Sequence, residues 1–466
     1  MERTSRYRSA AAALLAGAVL RGAFLSAHPA PAGDALAYGD LAGNMLAHHV
    51  FGYTEDVLLP TLVRLPGYPA FLALCFSLFG SANYVAAICI QAALDLFFSC
   101  WLLGTLARRL MGSRAGMATL WLAALCPFTA NYAAVALTES LSLFCVVLAL
   151  FALERWTSTS RTTWAWPLGL ALSFAVLLRP DGGALAAAVI PVMLWVSLRH
   201  DTMAPRRWLP SAIVIVVVAL PLVLWGARNW RVFHVIQPLA PRYANDPGEP
   251  VPYGFQRWYR SWAVEFISTV DVYWPYDGRE IALERLPARA FDSPAQRAQT
   301  AAVFAQYNQQ DDPSPAIDDA LGRIAAQRIA AHPFRYYVAL PIAREADMWL
   351  RPRTEMMRSL PLDWWRIRRH PLLSALEIAY AALNAAFLLL AFGGLLRWRK
   401  QRWFPQPTLA AAALGYVALR CILLLTLDNS EPRYTLECFP IVILLAGFAF
   451  SGRSLTDSRP SYASPS

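Results

Sequence analysis

Apolar residues gather along this chain in long blocks, and the polar stretches between the blocks alternate in character. The blocks run at about Ser9–Ala27, Tyr84–Leu106, Ala115–Thr129, Leu137–Leu153, Trp166–Leu178, Ala184–Leu198, Leu209–Trp225, Leu372–Leu396, Thr408–Leu427 and Leu436–Phe450. Crossing roughly 30 Å of hydrocarbon takes about 17 to 25 helical residues, and many of the blocks approach that length. The pattern predicts an all-α polytopic membrane protein with about ten transmembrane helices. Gly67–Gly80 is apolar but too short to span, so it reads as an interfacial or re-entrant helix. Phe334–Leu350 is apolar on one face but carries Arg344, Glu345 and Asp347. Each such charge costs about 2.5 to 3.5 kcal/mol at the bilayer centre, so that segment is expected at the interface.

The loops sort by arginine. Arg3, Arg6 and Arg8, then Arg108, Arg109 and Arg114, then Arg155 and Arg161, then Arg199, Arg206 and Arg207, then Arg397, Arg399, Lys400 and Arg402 all fall on one side. The positive-inside rule makes that side cytoplasmic. Ala30-Pro-Ala32 also offers a small-residue cleavage site, and a signal peptide would deliver the following residues to the same outer side. Four regions follow. Residues 1–230 form an N-terminal membrane module with a first outer loop at 28–82. Residues 231–370 form an extracytoplasmic region, 371–451 the C-terminal transmembrane helices, and 452–466 a polar, disordered cytoplasmic tail.

Composition sharpens this picture. Of 466 residues 57% are apolar and only 15% charged, against about a quarter charged in soluble domains. The net charge of +10 is carried almost wholly by arginine, Lys400 being the only lysine, and fits loop bias rather than nucleic-acid binding. The seven cysteines lie in or beside apolar blocks, which suggests no disulfide framework or zinc cluster. His48 and His49 adjoin Glu55 and Asp56 without metal-ligand spacing. Within the blocks, Asp95 and Arg420 lie near mid-span, where charges pair or face a cavity; pairing with each other is the simplest expectation.

The candidate chemistry lies on the outer side. Asp34, Tyr38, Asp40, Arg64, Glu139, Asp181, Arg228, Asn229, Glu431, Arg433 and Tyr434 all fall there, from segments spread along the whole chain. Asp34 begins a helical pattern and could simply cap it. Arg64 precedes Pro66 at headgroup depth, where a guanidinium suits a phosphate.

Arg64-Leu-Pro-Gly-Tyr68-Pro-Ala-Phe-Leu72, following an acidic helix after the first span, resembles the GT-C glycosyltransferases, which include the protein O-mannosyltransferases and the lipid A aminoarabinose transferase. The likeness extends to Leu137-Thr-Glu139, Arg179-Pro180, Trp225 with Arg228-Asn229, and Glu431-Pro-Arg-Tyr434. It implies a GT-C-like fold with short interfacial helices in the first outer loop and a mainly helical extracytoplasmic region. It also implies an inverting hexosyl- or pentosyltransferase in a bacterial inner membrane, with the active site facing the periplasm. Its partners would be membrane lipid, a polyprenyl-phosphate-sugar donor and a glycan, lipid or protein acceptor. By the same resemblance Asp34 is the catalytic base. Tyr38, Asp40, Arg64, Tyr68, Glu139, Arg228, Asn229, Arg433 and Tyr434 would bind substrate, Arg64 and Arg433 at the leaving phosphate. No cofactor is firmly implied; a divalent cation is compatible but not indicated. One departure concerns the acceptor: Ala35 follows Asp34, where the protein mannosyltransferases carry an aspartate–glutamate pair. A lipid-linked glycan transporter (flippase) and a polysaccharide polymerase are the alternatives, although the lopsided chain lacks the internal repeat common in transporters.

Overall fold

The computed structural model describes residues 2–27, 31–54, 56–198, 207–276, 278–310, 313–357, 360–400 and 406–452. Arg199, Arg206, Arg402, Glu55, Arg358, Ala30 of the small-residue site and the polar tail from residue 453 lie outside the described residues.

The described residues are mainly helical, their one sheet being the short antiparallel pair Gly52–Thr54 and Leu58–Pro60. Seven helical stretches in the described residues are long and apolar enough to cross a membrane: Thr4–Ala27, Tyr84–Ala124, Glu139–Thr159, Pro180–Leu198, Leu209–Phe233, Pro371–Lys400 and Pro407–Leu425. Three shorter apolar helices accompany them, Gly67–Phe79, Thr162–Leu178 and Phe439–Phe448. Two expected spans therefore differ in shape. Ala115–Thr129 is interrupted, because helix Trp101–Ala124 ends before Cys126 and Pro127 opens a separate short helix, Pro127–Ala133. Pro127 has no N–H to continue the ladder, so it starts a helix instead. The last block contracts to Phe439–Phe448, a helix with every residue buried. It packs against Pro371–Lys400 and Trp101–Ala124.

The two ends of the bundle differ as the arginine alternation predicts. At one end Arg6 donates to Ser113 Oγ, Arg109 to Glu154 and Ser158, and Gln406 to Glu154, while Arg397 reaches the backbone of Ala449. The carboxylate-rich cluster described below occupies the other end.

Between Phe233 and Pro371 a second layer has its own aromatic core. Phe255, Trp258, Tyr259, Trp262, Phe304 and Tyr307 pack there under the helices Tyr253–Arg260, Pro294–Gln310 and Pro315–Ala331. The expected helix Ala316–Ala331 is present as Pro315–Ala331, with Ser314 accepting from Ile317 N at its start. The interfacial segment before residue 351 is the helix Leu340–Leu350, preceded by a π-helical turn.

The mid-bundle charges do not pair with each other. Asp95 lies in the π-helical stretch Leu94–Cys100 and binds Arg21 of the first helix, Nη2 to Oδ2 at 2.5 Å and Nε at 2.9 Å. Both residues are buried, and Arg21 also donates to the carbonyls of Gly17 and Ala124. Arg420 instead faces Asp181 and Glu437. Each helix's rotation set the partner: residue 95 faces the first helix, and residue 420 faces Asp181 and Glu437. Removing one member of a buried pair strands the other charge, at about 3–5 kcal/mol, whereas replacing both with apolar groups is nearly neutral. Asp95→Ala is therefore expected to lower thermal stability in detergent sharply, and Arg21→Met with Asp95→Leu to recover most of it. Equal loss in the double variant would remove the ion-pair explanation.

Candidate active site

Gly33 sits at φ 56°, a left-handed conformation that suits glycine, and turns the chain into the helix Asp34–Ala47. Asp34 is the first residue of that helix, one position past the N-cap, which is Gly33. Its oxygens are used elsewhere: Oδ1 accepts from Arg64 Nη2 and Oδ2 from Arg433 Nη1, both at 3.1 Å. The simple capping role is thus replaced by a bridge between two guanidiniums.

Arg64 reaches this place because the helix behind it, Gly67–Phe79, packs without clearance. A Cβ on Gly67 would come within 2.5 Å of the Leu177 carbonyl oxygen at the end of Thr162–Leu178. Arg433 opens the short helix Arg433–Leu436, and its Nε lies 2.5 Å from Glu431 Oε2.

A wider network extends inward from this pair. Glu139, at the start of its helix, sits 3.8 Å from Arg433 and accepts from Arg179 Nη1 at 3.0 Å. Arg179 also grips Asp181 with two bonds, 3.0 and 3.2 Å, and lies 3.2 Å from Glu437. Arg420 donates to Asp181 and to the Tyr434 carbonyl, each at 2.9 Å, and stands 2.9 Å from Glu437 Oε2. Tyr434 Oη and Asn429 Nδ2 both donate to Glu431 Oε1. Five carboxylates (Asp34, Glu139, Asp181, Glu431, Glu437) thus alternate with four guanidiniums (Arg64, Arg179, Arg420, Arg433) drawn from six segments. Most of these side chains are buried, where unpaired charge is costly, so each holds its neighbour's geometry. Asp34 and Arg64, each with 30% of the side chain exposed, are the open end of the chain of charges. Burial raises the Asp34 pKa, but Arg433 and Arg64 outweigh it and hold the carboxyl below the usual aspartate range.

The other expected site residues divide. Tyr38 lines the same place, its ring 5.1 Å from that of Tyr68 and 6.0 Å from the Arg64 guanidinium carbon. Tyr68 is fully buried and donates to Gln91 Oε1, so it buttresses Tyr38 from behind. Asp40 and Arg228 make their contacts with backbone between residues 51 and 61, and Asn229 makes its contact just after its own helix. Asp40 accepts from Thr54 N at 2.7 Å; Arg228 donates to the carbonyls of Thr61 and Phe51; Asn229 donates to that of Gln237. Sequence reasoning missed Glu437 and the inward role of Arg420. The available signal was spacing: Glu437 lies one helical turn beyond Arg433 and Tyr434, so the three share a side. Among the described residues no group of three His, Cys, Asp or Glu side chains is placed to hold a metal ion.

Residues 63–225 match the family model of dolichyl-phosphate-mannose-protein mannosyltransferase, a stretch holding Arg64, Tyr68, Glu139, Arg179 and Asp181. No curated protein matches the chain. Among solved structures, ArnT from Cupriavidus metallidurans in the apo state aligns at 17% identity, TM-score 0.40, over 97% of this chain and 78% of that one. ArnT bound to undecaprenyl phosphate aligns at 17% identity, TM-score 0.39, over 95% and 77%. The archaeal oligosaccharyltransferase AglB from Archaeoglobus fulgidus, in complex with an inhibitory peptide and a dolichol-phosphate, aligns at 14% identity, TM-score 0.49, over 96% of this chain. The present chain spans half the length of that enzyme. The family match on residues 63–225 thus lies over the Arg64–Leu72, Leu137–Glu139 and Arg179-Pro180 motifs, and over that stretch the chain is similar to the mannosyltransferase family.

Proposed function

We propose that the protein transfers a sugar from a polyprenyl-phosphate donor to an acceptor hydroxyl at the extracytoplasmic face of the membrane. The observation that carries this reading is the Asp34 carboxylate held between Arg64 and Arg433 at the open end of a buried charge network. Each guanidinium has five N–H donors and gives only one of them to Asp34, leaving others for phosphate oxygens. The acceptor oxygen attacks the anomeric carbon while the bond from that carbon to the phosphate oxygen breaks. The bonding electrons leave with the phosphate, and the acceptor proton passes to Asp34. Attack opposite the leaving group inverts the anomeric centre. Charge grows on the phosphate as the bond breaks, so fixed guanidiniums stabilise the transition state more than the ground state. A carboxylate with a lowered pKa is a weak base, which suffices when proton transfer comes late. Glu139, Arg179, Asp181, Arg420 and Glu437 touch no reacting atom in this scheme and serve to position Arg433. Tyr38 forms a wall of the sugar site.

The reaction is tested by incubating purified protein with a short-chain polyprenyl-phosphate donor carrying a labelled sugar. Release or transfer of the sugar supports the reading; movement of intact donor across a vesicle bilayer without sugar release would replace it with transport. Sidedness is tested on a cysteine-free background. Asp319→Cys should react with an impermeant thiol reagent added outside, and Ser158→Cys and Lys400→Cys should not; the reverse pattern would put the site on the cytoplasmic face.

A further inference from the structure

A second group of arginines lies beyond Glu431, where the segment after helix Pro407–Leu425 meets the outer layer. Arg242, Arg260 and Arg344 approach from three separate segments and converge on one carboxylate, Asp428. Arg260 Nε lies 3.1 Å and Arg242 Nη2 3.6 Å from Asp428 Oδ1. Arg344 comes from helix Leu340–Leu350 and is 1% exposed. Its Nη1 donates to the carbonyls of Arg260 and Ala263, each at 3.1 Å, at the C-terminal end of helix Tyr253–Arg260. Its Nε and Nη2 are buried and have no hydrogen-bond partner.

This group differs in kind from the network around Asp34. There, five carboxylates offset four guanidiniums; here, three guanidiniums meet one carboxylate. A buried N–H left unpaired is costly, and more so when its group is charged. Burial and the neighbouring Arg260 push the Arg344 pKa down to about 10, which still leaves it protonated at neutral pH. A hydrophobic side chain or a second carboxylate at this place would have removed the strain. The sequence supplies neither, and planar forks with spare donors suit tetrahedral oxyanions.

We propose that Arg242, Arg260 and Arg344 form a second oxyanion site, which takes a phosphate group carried by a lipid headgroup or free in solution. The site is separate from the one at Asp34 but is joined to it along the chain. Asp428 precedes Asn429, which donates to Glu431 at 2.9 Å, and Glu431 in turn holds Arg433. Occupation of the second site would therefore stiffen the segment that delivers Arg433.

The test reads binding directly, without turnover. Full-length protein in detergent is titrated with inorganic phosphate against sodium chloride of equal ionic strength, following the unfolding temperature and the heat of binding. Wild type and Arg64→Ala should both bind phosphate and gain stability; Arg344→Gln and Arg242→Gln should bind at least 10-fold more weakly. Arg242 is about half exposed, so its variant keeps the fold and decides the matter if Arg344→Gln does not fold. A second arm uses nanodiscs of phosphatidylglycerol or phosphatidylcholine. Stabilisation by phosphatidylglycerol that Arg242→Gln abolishes assigns a lipid headgroup, and a response confined to inorganic phosphate assigns a free anion. A phosphate response unchanged in both variants, or absent from wild type in both arms, would leave Arg344 as a helix-capping arginine and overturn the proposal.

Discussion

Asp34→Asn is expected to leave the protein folded and able to bind its donor while lowering turnover about 10²- to 10⁴-fold, the usual worth of a general base. Asn has nearly the same shape and can still accept from one of the two arginines through its carbonyl oxygen, so part of the geometry survives while the basicity is lost. It also caps helices as well as Asp does, and a cap would lose nothing in the exchange. The pH profile adds a second reading. Arg433 and Arg64 overcome the effect of burial and hold the Asp34 carboxyl below its ordinary range, so it is already ionised at and above that range. Turnover should show no rise attributable to Asp34 between about pH 5 and 8, where an unperturbed aspartate is ionised in any case. The folded pKa lies below the unfolded one, so Asp34 stabilises the protein above the unfolded value. That contribution is lost as pH falls through the folded value. Near-normal rates in the Asn variant would remove Asp34 from the chemistry.

Arg64→Ala is expected to cost about 2 to 4 kcal/mol in kcat/KM, comparable to deleting one transition-state donor. Arg64→Lys keeps the charge but loses the planar fork, so its loss should be partial. Arg433→Ala should be at least as severe and should also destabilise the fold, because Arg433 touches Asp34, Glu139 and Glu431, whereas among the described residues Arg64 pairs with Asp34 alone. A thermal melt separates the two effects, with Arg64→Ala the cleaner measure of chemistry. Arg366 and Arg369 provide the control. They are exposed, share Asp363, and flank an aromatic stretch suited to anionic headgroups, where each charge contributes about 1 kcal/mol. Alanine at either should barely alter turnover. Equal, mild losses at Arg64, Arg433, Arg366 and Arg369 would place the phosphate elsewhere.

The membrane class was legible in the sequence because hydropathy acts locally, each block reporting on itself. The meeting of Asp34, Arg64, Glu139 and Arg433 was legible from common sidedness and motif order, though no spacing could show that two arginines share one carboxylate. Partnerships deeper in the bundle were not legible. Asp95 and Arg420 were matched by depth alone, but each helix has its own rotation, and Arg21 inside an alanine-rich first span carried no outward sign of its partner. Helix length was also misjudged where packing replaces lipid: Phe439–Phe448 is shorter than a membrane crossing because protein surrounds it on all sides. The contacts of Asp40 and Arg228 with loop backbone depend on how residues 51 to 62 fold back, which hydropathy does not record.

That enclosed helix bears on the order in which the molecule is made. Asp34, Arg64, Glu139 and Arg179 leave the ribosome long before Arg433 and Glu437, which arrive joined to a segment whose seat is a slot between Pro371–Lys400 and Trp101–Ala124. Until then Glu139 lacks one of its two cationic neighbours, and Asp34 has Arg64 alone. Domains that form during synthesis normally settle from the N-terminal end onward. Here the charge network closes only when residues 433 to 448 are seated. The network therefore cannot be complete while the chain is still being threaded into the bilayer, and a chain released early lacks both Arg433, which bridges Asp34 and Glu139, and Glu437, which bridges Arg179 and Arg420.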